Sequence, residues 1–467
     1  MDRRHFARLS AVAMGGLTLP GELAAIVAGW ALPGGLKGEY AWSGLPPGAP
    51  TALDAGTAAG QALAVNAARL GEHMRTLSTF GRNASGGIDR VAFSDANIDA
   101  LDWVSGLLAE AGFSPEIDFA GNLMARRPGL DSDLPPLMFG SHIDSVPGGG
   151  NFDGQVGSMG ALEVATTLAA AGHNTRHPLT VAIFSNEEGG KTGSRALAGE
   201  VERFELDIAT ASGFTIGEGL RRIGGNPERL NDARLAPGSI AAFLELHVEQ
   251  GGVMDSDGID IGVVEGIVGI MRWNVTVEGE TNHAGTTPMD RRRDAMVGAA
   301  RFVDVAHRTT RAIPGRQVAT VGSLQAEPGA PNVIPGRVTL TLEIRDLSME
   351  GIERTFDAIR EQAEPMAEEA GVSLSYDRFY TSRAAPTEPR IRDLIEASAH
   401  DLALVARRMP SGAGHDAQSI ALLAPVGMIF VPSVRGISHA PEEHTEEADV
   451  VNGANVLLRT LLSLDQA

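Results

Sequence analysis

The chain has 467 residues, 43% of them hydrophobic, enough to bury more than one core. Its 38 basic residues against 59 acidic ones leave a net charge of −21, which disfavours nucleic acid or anionic lipid as a partner, because a phosphate-binding surface needs a clustered basic face. The lack of cysteine excludes disulfides, thiolate nucleophiles and thiolate metal sites, so any metal must be held by His and carboxylates.

In chain order, Arg3-Arg4-His5-Phe6-Ala7-Arg8-Leu9 precedes an apolar, acid-free run from Ser10 to Leu19. Paired Arg followed by Phe and a weakly apolar segment resembles a twin-arginine export signal, so residues 1–33 are expected to be a signal and the protein periplasmic or exported; without that signal it would be cytoplasmic. Pro20 and Glu22 interrupt the apolarity before it reaches bilayer-spanning length, so no permanent membrane span is expected. Residues 34–61, centred on Leu45-Pro46-Pro47-Gly48-Ala49-Pro50, are rich in Gly, Pro and Ala and read as linker.

Alternating helix and strand signals begin at Ala62. Ala62 to Ser78 and Asp95 to Ala111 carry apolar residues at helical spacing, with Gly112 as a stop, and a further helix is expected from Gly157 to Ala170. Four apolar runs read as buried strands, and each ends in residues that carry chemistry. Leu137-Met138-Phe139 leads to His142, Asp144 and Asp153, and Leu179 to Phe184 leads to Asn186-Glu187-Glu188-Gly189. Ile240 to Leu246 ends in His247-Val248-Glu249-Gln250-Gly251, and Val426 to Val431 leads into Ser438-His439-Ala440-Pro441-Glu442. In a mostly parallel α/β sheet such ends share one crevice, and ligands bind there. Any one of these groups alone would read as a polar surface loop, but four coincidences at the same strand end point to a metal centre.

The segment Val264 to Tyr376 differs in character, running strand (Met271 to Val277), helix (Arg293 to Arg308), two strands (Val318 to Leu324, Arg337 to Ile344), helix (Gly351 to Ala370) and strand (Val372 to Tyr376). This order predicts a small inserted α+β, ferredoxin-like domain over 264–376, within a catalytic domain formed by 62–263 and 377–467 with helices on both faces of its sheet. The candidate ligands are then His142, Asp153, Glu188, His247 and His439, with Asp144 placed to orient the His142 ring. Nitrogen and oxygen donors without sulfur suit Zn, Mn, Co or Ni, and five of them with one bridging carboxylate suit two ions. Glu187, left over beside them, is the candidate general base.

Six stretches, Gly140-Ser-His-Ile-Asp-Ser-Val-Pro147, Asn186-Glu-Glu-Gly189, Glu245-Leu-His-Val-Glu-Gln-Gly251, His283-Ala-Gly-Thr-Thr-Pro-Met289, Asn332-Val-Ile-Pro-Gly336 and Gly414-His-Asp-Ala417, resemble the N-carbamoyl-L-amino-acid hydrolase and allantoate amidohydrolase family. This is a branch of the dinuclear metallopeptidase superfamily, and the resemblance runs in order from about Ala62 to the end. It implies that Asp153 bridges two divalent ions, that His142 and His439 are terminal ligands, and that Glu188 and His247 complete the set. It further implies Glu187 as general base, His283 as the group that steadies the oxyanion, Asn332 and Arg345 as holders of the substrate carboxylate, and Gln250 as a weaker substrate contact. The implied activity is hydrolysis of the C–N bond of a small ureido or amide-bearing carboxylic acid, by a homodimer assembled through the inserted domain. Allantoate, or an N-acyl amino acid or dipeptide, is the alternative substrate; a non-catalytic binding module would lack Glu187 or a ligand, and none is missing. After the paired Glu the family continues with Arg-Phe and a longer loop, whereas this chain reads Gly189-Gly190-Lys191-Thr192-Gly193-Ser194-Arg195, which leaves the substrate's side chain open.

Overall fold

The computed structural model describes residues 63–466. The twin-arginine segment, the linker and the start of the first helical run lie outside the described residues. By internal contacts the described residues divide into two units: 63–262 with 393–407 and 422–466, and 263–392 with 408–421.

The first unit opens with α1 (Ala67–Leu77) and α2 (Asp95–Glu110). Side chains close both N-termini: Asn66 accepts from the Arg69 amide and Ser94 from the Asn97 amide. Strands β1 (Ser114–Ile117), β2 (Leu123–Arg127) and β3 (Leu137–His142) follow, then α3 (Gln155–Ala170), β4 (Leu179–Phe184) and β5 (Ala242–Val248). β3, β4 and β5 are buried at every position, as strands covered on both faces must be. α3 is buried on nearly all sides, which explains its lack of a polar face. It comes close to the sheet at Gly157, where a Cβ would run into the Leu246 carbonyl of β5.

In the second unit β6 (Gly269–Glu278), α4 (Ala295–Ala312), β7 (Val318–Glu327), β8 (Arg337–Asp346), α5 (Met349–Ala370) and β9 (Ser373–Ser382) form an antiparallel sheet of order β9-β6-β8-β7 with two helices packed on it. The apolar side of β8, with Val338, Leu340, Leu342 and Ile344 all fully buried, joins Trp273, Phe302 and Phe356 in one core. β9 continues past Tyr376 to Ser382 because it pairs with the whole length of β6, from Ser373 opposite Glu278 to Ser382 opposite Ile270. The strand therefore outruns the Tyr376 end expected from the apolar pattern, and the second unit runs on to Arg392.

The chain returns to the first unit at residues 393–407 and again with β10 (Val426–Val431) and α6 (Glu447–Asp465). Six strands of its sheet run β1-β2-β4-β3-β5-β10. β4, β3, β5 and β10 are mutually parallel, while β2 joins β4, and β1 joins β2, in antiparallel pairing. The sheet is therefore mostly parallel, and its four parallel strands send their C-terminal ends to the same edge. Among the described residues no helix is long and apolar enough to cross a membrane.

Candidate metal centre

His142 is the last residue of β3 and His247 the sixth of β5, while Glu187 and Glu188 follow β4 and His439 follows β10. Asp153 comes from the loop between β3 and α3. The parallel register thus carries five candidate ligands and the neighbouring Glu187 to one place in the first unit. Asp153 stands at the middle. Its Oδ1 lies 3.3 Å from His247 Nε2 and 3.7 Å from His142 Nε2, and its Oδ2 lies 3.2 Å from His439 Nε2. His439 Nε2 is in turn 3.6 Å from Glu188 Oε1, and Glu187 Oε2 is 3.7 Å from His142 Nε2.

Several of these separations are too long for hydrogen bonds. They match instead the edge of a coordination polyhedron: bonds of about 2.1 Å to a tetrahedral ion put neighbouring donors about 3.4 Å apart. Two triads result, His142, His247 and Asp153, and Glu188, His439 and Asp153, with one carboxylate oxygen turned to each.

The imidazoles are prepared for ligation by their other nitrogens. His142 Nδ1 faces the Asp144 carbonyl at 3.1 Å and His247 Nδ1 the Val248 carbonyl at 2.9 Å. A carbonyl only accepts, so each Nδ1 carries a proton, which leaves Nε2 as the nitrogen able to give a lone pair to an ion once its own proton is displaced. His142 Nε2 is buried and has no hydrogen-bond partner, as expected of an atom meant for a metal. Gly154 leaves it that room: its φ is +76°, and a Cβ there would overlap the imidazole.

Asp144 faces the His142 ring, its carbonyl 3.1 Å and its carboxylate 3.6 Å from Nδ1. The carboxylate accepts the backbone amides of Glu187 at 3.3 Å and Glu188 at 3.2 Å, and so fixes the acidic turn. The turn is sharp, with Asn186 in the left-handed region at φ +51°. Gln250, also left-handed at φ +58°, donates from Nε2 to Asp153 Oδ2 at 2.5 Å.

The field at the centre is strongly negative. Burial would depress the His142 ring, but Glu187, Asp144 and Glu188 outweigh it and hold its pKa well above the ordinary value. Burial would raise the Asp153 carboxyl, yet hydrogen bonds from His247 and His439 hold it well below. Glu187 is pushed up by burial, against the pull of His142 and Lys191, and Glu188 is pushed well up by burial and by Asp153. Four carboxylates around three imidazoles are a site that calls for added positive charge.

Sequence reasoning overlooked Glu443, which is buried behind the centre and grips both Asp153 and His439 through their backbones. Its only signal was a second Glu four residues after His439. It also overlooked the fully buried Arg90, which donates to the Ile143, Leu77 and Phe80 carbonyls and to Asn151, bracing the loop after β3.

Within the second unit, His283 and Asn332 are brought together, since His283 pairs with Val333 in a short antiparallel ladder and the Asn332 carbonyl accepts from Ala284. His283 Nδ1 accepts from the amides of Gly285 (3.0 Å) and Thr286 (3.2 Å), which leaves Nε2–H as an exposed donor. Arg345 projects from β8, donating Nε to Glu343 at 2.7 Å and Nη1 to the Gly412 carbonyl at 2.5 Å. Glu343 also accepts from Arg272 at 2.6 Å, and the two guanidinium groups hold its carboxyl below the ordinary range against the effect of burial.

Residues 138–463 match the model of peptidase family M20/M25/M40. The N-carbamoyl-L-amino acid amidohydrolase of Geobacillus stearothermophilus is 38% identical over 403 residues, spanning 85% of this chain and 98% of that protein. The allantoate amidohydrolase of Escherichia coli K12 is 32% identical, spanning 84% of this chain and 97% of that protein. A solved amidase of the hydantoinase/carbamoylase family from Burkholderia multivorans superposes with a TM-score of 0.80 at 34% identity, covering 87% of this chain and 99% of that one.

Proposed function

The chain belongs to peptidase family M20/M25/M40, and from that premise we propose that it is a metal-dependent amidohydrolase cleaving the linear C–N bond of an N-carbamoyl-L-amino acid or a similar ureido acid. One observation carries the reading: a single buried carboxylate, Asp153, turns one oxygen to His142 and His247 and the other to His439, with the free carboxylate of Glu187 alongside. Two divalent ions, of the Zn, Mn, Co or Ni type, would be held by His142 and His247 on one side and Glu188 and His439 on the other, with Asp153 between them. Ions there would supply Lewis acidity, lowering the pKa of a water to about 7 and polarising a carbonyl.

The chain's own residues do the rest. Glu187, its pKa raised by burial, takes a proton from the attacking water and returns it to the leaving nitrogen. His283 offers Nε2–H to the developing oxyanion, and Arg345 with Asn332 holds the substrate carboxylate. An N-carbamoyl amino acid and one water give the amino acid, ammonia and carbon dioxide. The second unit serves as lid and dimerisation domain; β7, an unpaired sheet edge with Val318 and Leu324 exposed, supports a homodimer. Arg3-Arg4 and the apolar run after them direct export by the twin-arginine route.

Ammonia release from N-carbamoyl-L-amino acids, compared with allantoate, tests the substrate. Amine release without ammonia from N-acyl amino acids or dipeptides would shift the reading to a peptidase-like activity. Protein that binds no Zn, Mn, Co or Ni and cleaves none of these compounds would be a binding module instead.

A further inference from the structure

We propose that Glu443 is a positioning residue that fastens the Asp153 loop to the His439 loop and so builds the second of the two metal positions. The inference rests on the two-ion reading above. Glu443 is 5% exposed and all its acceptor capacity is used. Oε1 accepts the backbone amides of Phe152 at 2.8 Å and Asp153 at 2.9 Å, and Oε2 accepts the Ser438 hydroxyl at 2.8 Å and the His439 amide at 3.2 Å. Ser438 Oγ also lies 2.8 Å from Asp153 Oδ2, and its single proton is shared between the two carboxylates, one at a time.

The two metal positions differ in how they are held. His142 and His247 belong to β3 and β5, their side chains are 1% exposed, and backbone carbonyls orient both rings. His439 lies on a loop, its side chain is 47% exposed, and its backbone is left-handed at φ +57°. A half-exposed ligand on a strained loop needs an anchor, and the Glu443 carboxylate supplies it at the His439 amide itself. Gly150 makes the space for this anchor, since a Cβ there would overlap the Glu443 side chain.

The variants separate the two halves of the clamp. In Glu443→Gln the amide carbonyl stays on the Phe152 and Asp153 N–H groups, because the reversed amide would set two donors against two donors; the NH₂ then opposes the His439 N–H. Asp153 remains held while His439 is loosened. Glu443→Ala releases both, and Gly150→Ala pushes the carboxylate aside without removing it.

The test is a titration of metal-free, full-length protein with Co(II), followed by calorimetry and by the visible absorption of the bound ion. Wild type is expected to take up two equivalents. Glu443→Gln should keep the first within about threefold and weaken the second at least tenfold, with Gly150→Ala alike and Glu443→Ala more severe. A Glu163→Gln control, which breaks the buried contact to Arg69, should lower the melting temperature and leave both equivalents in place. If wild type binds two ions and Glu443→Gln and Gly150→Ala bind both as tightly, the clamp is refuted although the two-ion reading stands. If wild type binds fewer than two, the two-ion reading fails and takes this inference with it. Should Glu443→Ala not fold, the other two variants decide.

Discussion

Gly154→Ala is a small perturbation whose effect can be worked through from the coordinates. Gly154 caps α3 with φ +76° and ψ −39°, where an L side chain costs more than about 1 kcal/mol. The added methyl would lie against Nε2, Cε1 and Cδ2 of His142, well inside van der Waals contact. The ring would have to withdraw by about 1.7 Å to bring Cε1, 2.3 Å from the new methyl, to an ordinary carbon contact of about 4 Å. It has nowhere to go without releasing the Asp144 carbonyl, now 3.1 Å from Nδ1, a bond worth about 1 kcal/mol net. The fold therefore loses at least about 2 kcal/mol, and the protein should remain folded. Function is far less tolerant, because metal–ligand distances must hold to about 0.2 Å and a 1 Å displacement costs about a hundredfold in rate. The assay is initial-rate ammonia release with metal in excess, beside a Co(II) titration of the metal-free protein. A kcat/KM within threefold of wild type, with both equivalents of metal bound, would refute the placement of His142 Nε2 as a ligand.

Glu187→Gln should lower kcat by about 10²–10⁴-fold with metal content unchanged by elemental analysis; undiminished turnover would remove Glu187 as the proton carrier. Arg345→Lys should raise KM at least about tenfold with kcat little altered, since a lysine cannot donate to Glu343 and the Gly412 carbonyl while presenting a planar fork to substrate. Asp449, near the start of α6, has its carboxyl pushed up to about 6 by burial and by Asp260, Glu446 and Asp255. A raised folded-state pKa gives a contribution that is fully present below the unfolded value of about 3.8 and lost as pH rises through about 6. Asp449→Asn should therefore melt higher than wild type at pH 7 and lose that advantage toward pH 4; a constant difference across that range would contradict the assignment.

Much of the architecture is written locally. Leu179 to Phe184 and Val426 to Val431 are unbroken apolar runs of strand length, and both are strands with those bounds because only a strand covered on two faces tolerates such composition. Alternation in Val338 to Ile344 likewise assigns the inner face of β8. Ends were less legible. β9 runs six residues beyond its apolar pattern because pairing with β6, a long-range contact, sustains it.

At the centre, residue type and position after an apolar run were enough to select His142, Glu188, His247 and His439, because a parallel sheet sends such ends to one edge. What no local pattern holds is direction. That the Asp144 carbonyl faces His142 while its carboxylate holds the Glu187 turn follows from backbone path. That Glu443 grips two loops whose anchored residues lie 290 and four positions away follows from packing. Sequence by itself determined which chemical groups this protein has and which strand delivers each one, since those depend on composition and periodicity along the chain. Only the tertiary structure decided which oxygen meets which nitrogen and at what separation, because hydrogen bonds and ligand geometry are set by distances across the fold to which neighbours in sequence contribute nothing.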